Sequence, residues 1–281
     1  MPYNAPREFG QIFGLDDKSL FTPGEFQTAD VRLLNEIGLS DEDKRDLVSL
    51  YEGAIKYFDL NFGWIIDNLK KRGILDKTII ILTADHGEEF WEHGGFAHGH
   101  RLYTEVMHVP LIMKHSTRLP SKRINSFVQL IDLFPTILRM SGIRYDLSYR
   151  GHDLIRPAFR NKQADEEIYM EAVLYGPKKK ALIKDGWMLI KNLKEKRADT
   201  FDPLGDMTKY LSPEYAEGYE LYNISQDFSE KNNLIDDFPQ IVADLDRSIL
   251  KHRASTFILA LEKKTKLKEK LEDLRTLGYI K

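Results

Sequence analysis

Between Ser40 and Gly73 the residues Leu47, Leu50, Tyr51, Ala54, Ile55, Phe58, Phe62, Ile65, Ile66 and Leu69 recur three or four apart, the spacing of one helical face. Ser40, followed three residues later by Asp43, predicts a variant of the capping box. Asp41 and Glu42 complement the helix dipole, and Gly73 supplies a left-handed stop. Directly after this helix comes KTIIILTA, residues 77–84, continuous and β-rich without alternation. Such a run predicts a strand covered on both faces in a largely parallel sheet, against which the helix lays its apolar side. A helix feeding a buried strand of this kind points to an α/β domain.

The same texture continues to about residue 145. VPLIM at 109–113 reads as the next buried strand, and IDLFPTILRMSGI as a helix with Asp132 at its N-cap and Pro135 in its first turn. Residues 1–39, rich in Pro, Gly and Phe, read as a long irregular segment. Beyond about residue 145 the pattern changes: IYMEAVLYG at 168–176, then KALIKDGWMLIKN with Asp185-Gly186 between two apolar runs, a strong hairpin signal, then YELYNI at 219–224. The tail from Pro239 reads as helix, ending in the charged stretch LEKKTKLKEKLEDL. The expected organisation is an α/β part over residues 1–160 and a small antiparallel α+β subdomain over 161–281.

Composition removes several classes. With 281 residues, 42% hydrophobic, the chain can bury a large core. A net charge of −3 from 41 basic and 44 acidic residues gives no field for nucleic acid or an anionic membrane, and Lys178, Lys179 and Lys180 read as a solvated turn. There is no cysteine, hence no disulfide, thiolate metal site or cysteine nucleophile. No apolar run approaches the roughly 20 residues of a membrane span. MPYNAPREFG shows no signal-peptide pattern, and the compartment is left open.

The chemistry concentrates in TADHGEEFWEHGGFAHGHRLY, residues 83–103, which holds four of the eight histidines. In open α/β sheets ligands bind past the carboxyl ends of strands, and Asp85-His86 is the first polar pair beyond one. Gly87 allows a sharp turn that brings both side chains into one space. An Asp oxygen and a His nitrogen are competent ligands for Ca²⁺, Mn²⁺ or Zn²⁺, but two ligands make half a site.

ILTADHGEEFWEHG, AHGHRLYTEVMHVPLIM, VQLIDLFPTILRMSGI and ELYNISQDFSEKNNL with a terminal LRTLGYI resemble, in order, the motifs of the sulfatases of the alkaline phosphatase superfamily. The resemblance implies part of an alkaline-phosphatase-like central sheet with flanking helices. It makes Asp85 and His86 the second pair of metal ligands, with Ca²⁺ first and Mn²⁺ or Zn²⁺ as alternatives. It makes His100 the cationic contact to the sulfate oxygen near the leaving group, with His98 the competing choice; either would bind substrate. Pro2-Tyr3 resembles the end of a His-x-Pro-Tyr motif. The paired aspartates and the C/S-x-P-x-R motif, whose modified residue, formylglycine, is the family's nucleophile, have no match in these 281 residues.

The chain therefore reads as the C-terminal part of a sulfatase, with formylglycine expected in a preceding half and no turnover expected from this chain alone. Its expected partners are a sulfate-ester small molecule or saccharide, and the other half or a second copy. A phosphoric or phosphonate ester hydrolase or phosphotransferase of the same superfamily is the second reading, and a non-catalytic binding protein the third. His115, His152 and His252 read as ordinary surface or core residues. His93 reads as a loop-ordering or cleft residue, His108 as structural, Glu88 and Glu89 as loop carboxylates, and Asp59 as a buried hydrogen-bonding group.

Overall fold

The computed structural model describes residues 3–23, 38–144, 151–155, 167–171, 177–196 and 218–252. The chain divides into two compact units, the first mostly Met1–Ala164 and the second Asp165–Ala172, Pro177–Glu195 and Glu217–Lys281.

In the first unit, α1 (Arg7–Gln11) lies where an irregular segment was expected. The surrounding loop is ordered by Arg7, whose guanidinium donates to the carbonyls of Asp16 at 2.7 Å, Asp17 at 3.1 Å and Phe21 at 3.3 Å. Helix α2 (Asp41–Lys71) begins with the expected capping box: Asp43 N–H donates to Ser40 Oγ at 3.1 Å and Ser40 N–H to Asp43 Oδ2 at 2.9 Å. Its first half buries Leu47 and Leu50 in a core with Tyr3, Leu15, Phe21, Phe96 and Ala97. The partner of this face is thus the N-terminal segment and the site loop, not a flat sheet. Farther along, Ile55, Phe58, Trp64 and Ile65 are exposed.

Strand β1 (Ile80–Thr83) pairs antiparallel with β4 (Leu111–Lys114), Ile80 opposite Lys114 and Thr83 opposite Leu111. The expected parallel, doubly covered strand is therefore corrected on both counts: the pairing is antiparallel, and both strands are only partly covered. The connection explains the direction. It holds the short strands β2 (Glu89–Phe90) and β3 (Phe96–Ala97) and the one-turn helix α3 (Thr104–Met107), and no long crossover helix that would return the chain in parallel. Helix α4 (Leu133–Met140) follows a 3₁₀ turn at Leu130–Asp132. Asp132 occupies the N-cap position of α4 as expected, but its side chain makes no cap hydrogen bond to the helix; its buried carboxylate accepts from Gln129 N–H at 2.8 Å and His152 N–H at 2.7 Å.

Two further readings are corrected. Asp59 is exposed and pairs with Lys56 at 3.5 Å. Lys178, Lys179 and Lys180 lie within a strand, with Lys179 buried and donating to Asn192 Oδ1 at 2.6 Å.

The second unit is a four-stranded sheet in the order β5 (Ile168–Glu171), β6 (Pro177–Lys184), β7 (Trp187–Lys196), β8 (Gly218–Asn223). Asp185 and Gly186, at φ 50° and 81°, form the two-residue turn between β6 and β7. One face of the sheet packs Leu182, Leu189 and Leu221 against Leu245 and Ile249 of a helix, α5, described over residues 239–252. Each such side chain contributes about 1.5–3 kcal/mol of apolar burial. The charged end of the tail, the LRTLGYI motif, Pro2 and residues 172–176 lie outside the described residues. Among the described residues, no helix is long and apolar enough to cross a membrane.

Candidate functional site

The residues after β1 leave the strand at Ala84, and the backbone turns at Gly87. Gly87 N–H donates to Val106 O at 2.7 Å and Glu88 N–H to Glu105 O at 3.1 Å, so the loop is sewn to α3. A Cβ on Gly87 would sit 2.1 Å from Glu105 O, so no other residue fits this approach. The turn leaves Asp85 and His86 side by side and accessible, with Asp85 Oδ1 3.7 Å from His86 Nε2.

His86 Nδ1 lies 2.8 Å from Gly87 O, and because a carbonyl only accepts, Nδ1 carries the proton and Nε2 presents its lone pair. Two donors 3.7 Å apart fit one cation bound at roughly 2.0–2.6 Å from each. The donor set thus suits two ligands of a divalent ion. Among the described residues no group of three or more His, Cys, Asp or Glu side chains is placed to complete a site.

The rest of the loop is organised by three carboxylate–imidazole pairs. His98 Nδ1 donates to Glu88 Oε1 at 2.9 Å, His100 Nε2 to Glu89 Oε2 at 3.0 Å, and His93 Nδ1 to Glu105 Oε1 at 2.6 Å. The His98 ring stacks on His86 with centroids 3.9 Å apart, and His93 stacks on Tyr103 at 3.7 Å. The structure therefore brings His98 to the Asp85–His86 pair. His100 is buried with Glu89, its Nδ1 without a hydrogen-bond partner among the described residues.

Glu89 is fully buried, which raises its carboxyl, but the His100 hydrogen bond, the Arg101 charge at 3.4 Å and the Gly95 amide at 2.7 Å outweigh burial and hold it below the usual carboxylate range. Tyr3 is buried against Tyr51 and Phe90, and burial followed by the Glu88 carboxylate pushes its phenol far up. His108 is an exposed residue at the end of α3, and His115 accepts from the amides of Thr117 and Arg118, both at 3.3 Å. His152 is a largely exposed ring near Asp132, and His252 belongs to the second unit, where it meets Glu167 at 2.9 Å. Glu88 and Glu89, expected to be plain loop carboxylates, and Glu105, which sequence reasoning did not single out, are the orienting groups; the one signal for the first two is that residues 83–103 carry as many carboxylates as imidazoles.

A sulfatase family model matches residues 16–143. Arylsulfatase K of Rattus norvegicus is 28% identical over 215 residues, covering 75% of this chain and 36% of the relative. A sulfatase of Formosa agariphila is 22% identical over 227 residues, covering 75% of this chain and 43% of its own length. The chain thus spans about a third to two fifths of the length of the curated relatives it matches. Among solved structures, one determined in complex with its substrate D-glucosamine-2-N,6-O-disulfate aligns with TM-score 0.58 and 21% identity, over 75% of this chain and 41% of that one. The phosphonate monoester hydrolase of Agrobacterium radiobacter aligns with TM-score 0.66 and 18% identity, over 91% of this chain and 55% of that one. The likeness to these solved structures shows that the chain shares their α/β fold.

Proposed function

Because a sulfatase family model matches residues 16–143 and arylsulfatase K relatives match three quarters of the chain, we propose that it supplies one wall of the metal and oxyanion site of a sulfuric ester hydrolase. The observation that carries this is the pair past β1: Asp85 Oδ1 and an Nε2 of His86 fixed in its metal-binding tautomer, 3.7 Å apart, with His98 stacked on the same imidazole. Asp85 and His86 would hold the divalent cation, Ca²⁺ first and Mn²⁺ or Zn²⁺ as alternatives, whose charge stabilises negative charge on the ester oxygens. Glu88 holds the His98 ring stacked on His86, beside the pair, where its imidazole would meet the oxygen of the leaving group. His100, held by Glu89, is the alternative for that role and would need its Nδ1 to face substrate. A sulfated saccharide is the proposed substrate class, supported by the solved relative's glucosamine disulfate complex.

These 281 residues hold no C/S-x-P-x-R motif, so the chain by itself is expected not to hydrolyse sulfate esters. The phosphonate reading is supported by the fold likeness alone, which does not separate two tetrahedral oxyanions. Calorimetric titration of the purified chain with Ca²⁺ and Mn²⁺ tests the proposal: one weak site, abolished in Asp85→Asn and His86→Ala, supports it. Binding that survives both substitutions contradicts it, and chelator-sensitive turnover of an aryl sulfate by this chain refutes the expected inactivity.

A further inference from the structure

The candidate site makes no use of the second half of α2. There Ile55, Phe58, Phe62, Ile65 and Leu69 recur three or four residues apart along one side of the helix. Ile55 and Phe58 are each 54% exposed and Ile65 48%, and Trp64 beside them reaches 68%. Phe58 and Phe62 stack with centroids 6.0 Å apart at 9°, so their own rings order the ridge. Lys56 and Asp59 pair with each other at 3.5 Å, which leaves the stripe apolar and without a net charge to attract an ion. Contiguous apolar surface of this kind marks an interaction site.

Strand β1 is short of cover in the same way. Ile79, Ile80, Ile81 and Leu82 form a run without polar alternation, the composition of a strand held between two layers, yet each is only half-buried. Among the described residues β1 pairs with β4 alone, so its second edge offers backbone N–H and C=O groups to another strand. Residues 72–79, with Gly73 at φ 65° and a 3₁₀ turn at Leu75–Lys77, make the whole connection from α2 to β1. So short a connection keeps helix and strand neighbours in space.

We propose that this surface docks a polypeptide that extends the sheet, an apolar strand joining the free edge of β1 with its side chains packed against the stripe of α2. The occupant is the part of its relatives' length that this chain leaves unmatched. The chain covers 36% of arylsulfatase K of Rattus norvegicus and 43% of the Formosa agariphila sulfatase, so more than half of either relative is available to supply the strand. Main-chain pairing along an open edge gives such docking its affinity, and the apolar stripe gives it its selectivity. The proposal rests on the match to these relatives and on this surface, and not on the reading of Asp85 and His86.

The test is to co-express the tagged full chain with the part of Rattus norvegicus arylsulfatase K that it leaves unmatched, then follow the purified material by analytical ultracentrifugation and hydrogen exchange. The expected result is a one-to-one complex in which amide exchange over residues 55–69 and 79–83 slows at least about tenfold against the chain alone. Phe58→Glu with Ile65→Glu puts two carboxylates into the apolar contact and should weaken the complex at least about tenfold, in a chain that circular dichroism shows to be folded. Asp85→Asn should form the complex as well as the native chain does, so that a failure of ion binding and a failure of docking are read apart. Absence of a complex overturns the proposal, as does a complex indifferent to the double substitution, or slowed exchange confined to residues outside 55–69 and 79–83. A homodimer of this chain that the double substitution dissolves would also overturn it, by making a second copy the occupant.

Discussion

Glu89 gathers the site loop around one buried carboxylate: the amides of His93 at 3.2 Å and Gly95 at 2.7 Å, and the His100 ring at 3.0 Å, all donate to it. Removing it strands these donors and the Arg101 charge in a dry interior, so Glu89→Ala should destabilise the first unit by about 3–5 kcal/mol in urea unfolding. Gly87→Ala should cost about 1–3 kcal/mol by the same measurement, because the added methyl meets Glu105 O and the turn must open. Glu167 gives a pH prediction in the second unit. Burial raises its carboxyl, but the Lys184, Ser248 and His252 hydrogen bonds outweigh burial and hold it at about 2. A depressed carboxyl stabilises the fold above its unfolded value near 4.5, and that stability is lost as pH falls from there toward about 2. Acid unfolding of Glu167→Gln should lack that component. Asp85 and His86 were legible from sequence because a strand end followed by glycine places side chains without further context. The partners Glu88, Glu89 and Glu105 were not, because each meets its histidine ten to twelve residues away through the β2–β3 turn and α3, which no periodicity encodes.

Helix α2 shows which features of an element its sequence carries. Its cap, its first turn and its apolar period are local, and all three are found in the structure. What the apolar face meets is not local: its first half is covered, while Ile55, Phe58, Trp64 and Ile65 stay exposed. Such a patch binds hydrophobic dyes. The chain should therefore enhance anilinonaphthalene sulfonate fluorescence while folded, and Phe58→Glu with Ile65→Glu should remove most of that signal without lowering the melting temperature; unchanged fluorescence would show that the face is covered. Strand direction is non-local as well. The apolar runs of β1 and β4 were visible, but the loop between them decided that they pair antiparallel. The β6–β7 hairpin was read correctly because its turn chemistry lies in two adjacent residues, Asp185 and Gly186. The lysines of β6 were read as a turn because a charge run looks solvated until a partner such as Asn192 is known.

At the scale of the molecule, each unit has its own core, one joining α2 to the N-terminal segment and the site loop, the other joining the four-stranded sheet to α5. The ordered motifs were legible because they lie in contiguous stretches, and the fold they implied is the one its structural relatives share. The candidate site was legible only in part, since the Asp85–His86 pair and the loop that orders it lie in contiguous sequence while the nucleophile motif has no match in these 281 residues. The central claim is that Asp85 and His86 bind a divalent ion with His98 beside it. Paramagnetic Mn²⁺, added below stoichiometry while the histidine ring signals are followed by NMR, tests it directly. The account predicts that the His86 and His98 rings broaden first, that His115, His152 and His252 stay sharp, and that Asp85→Asn abolishes the effect. Broadening that spreads evenly over all the rings, or begins at His115, His152 or His252, would contradict it.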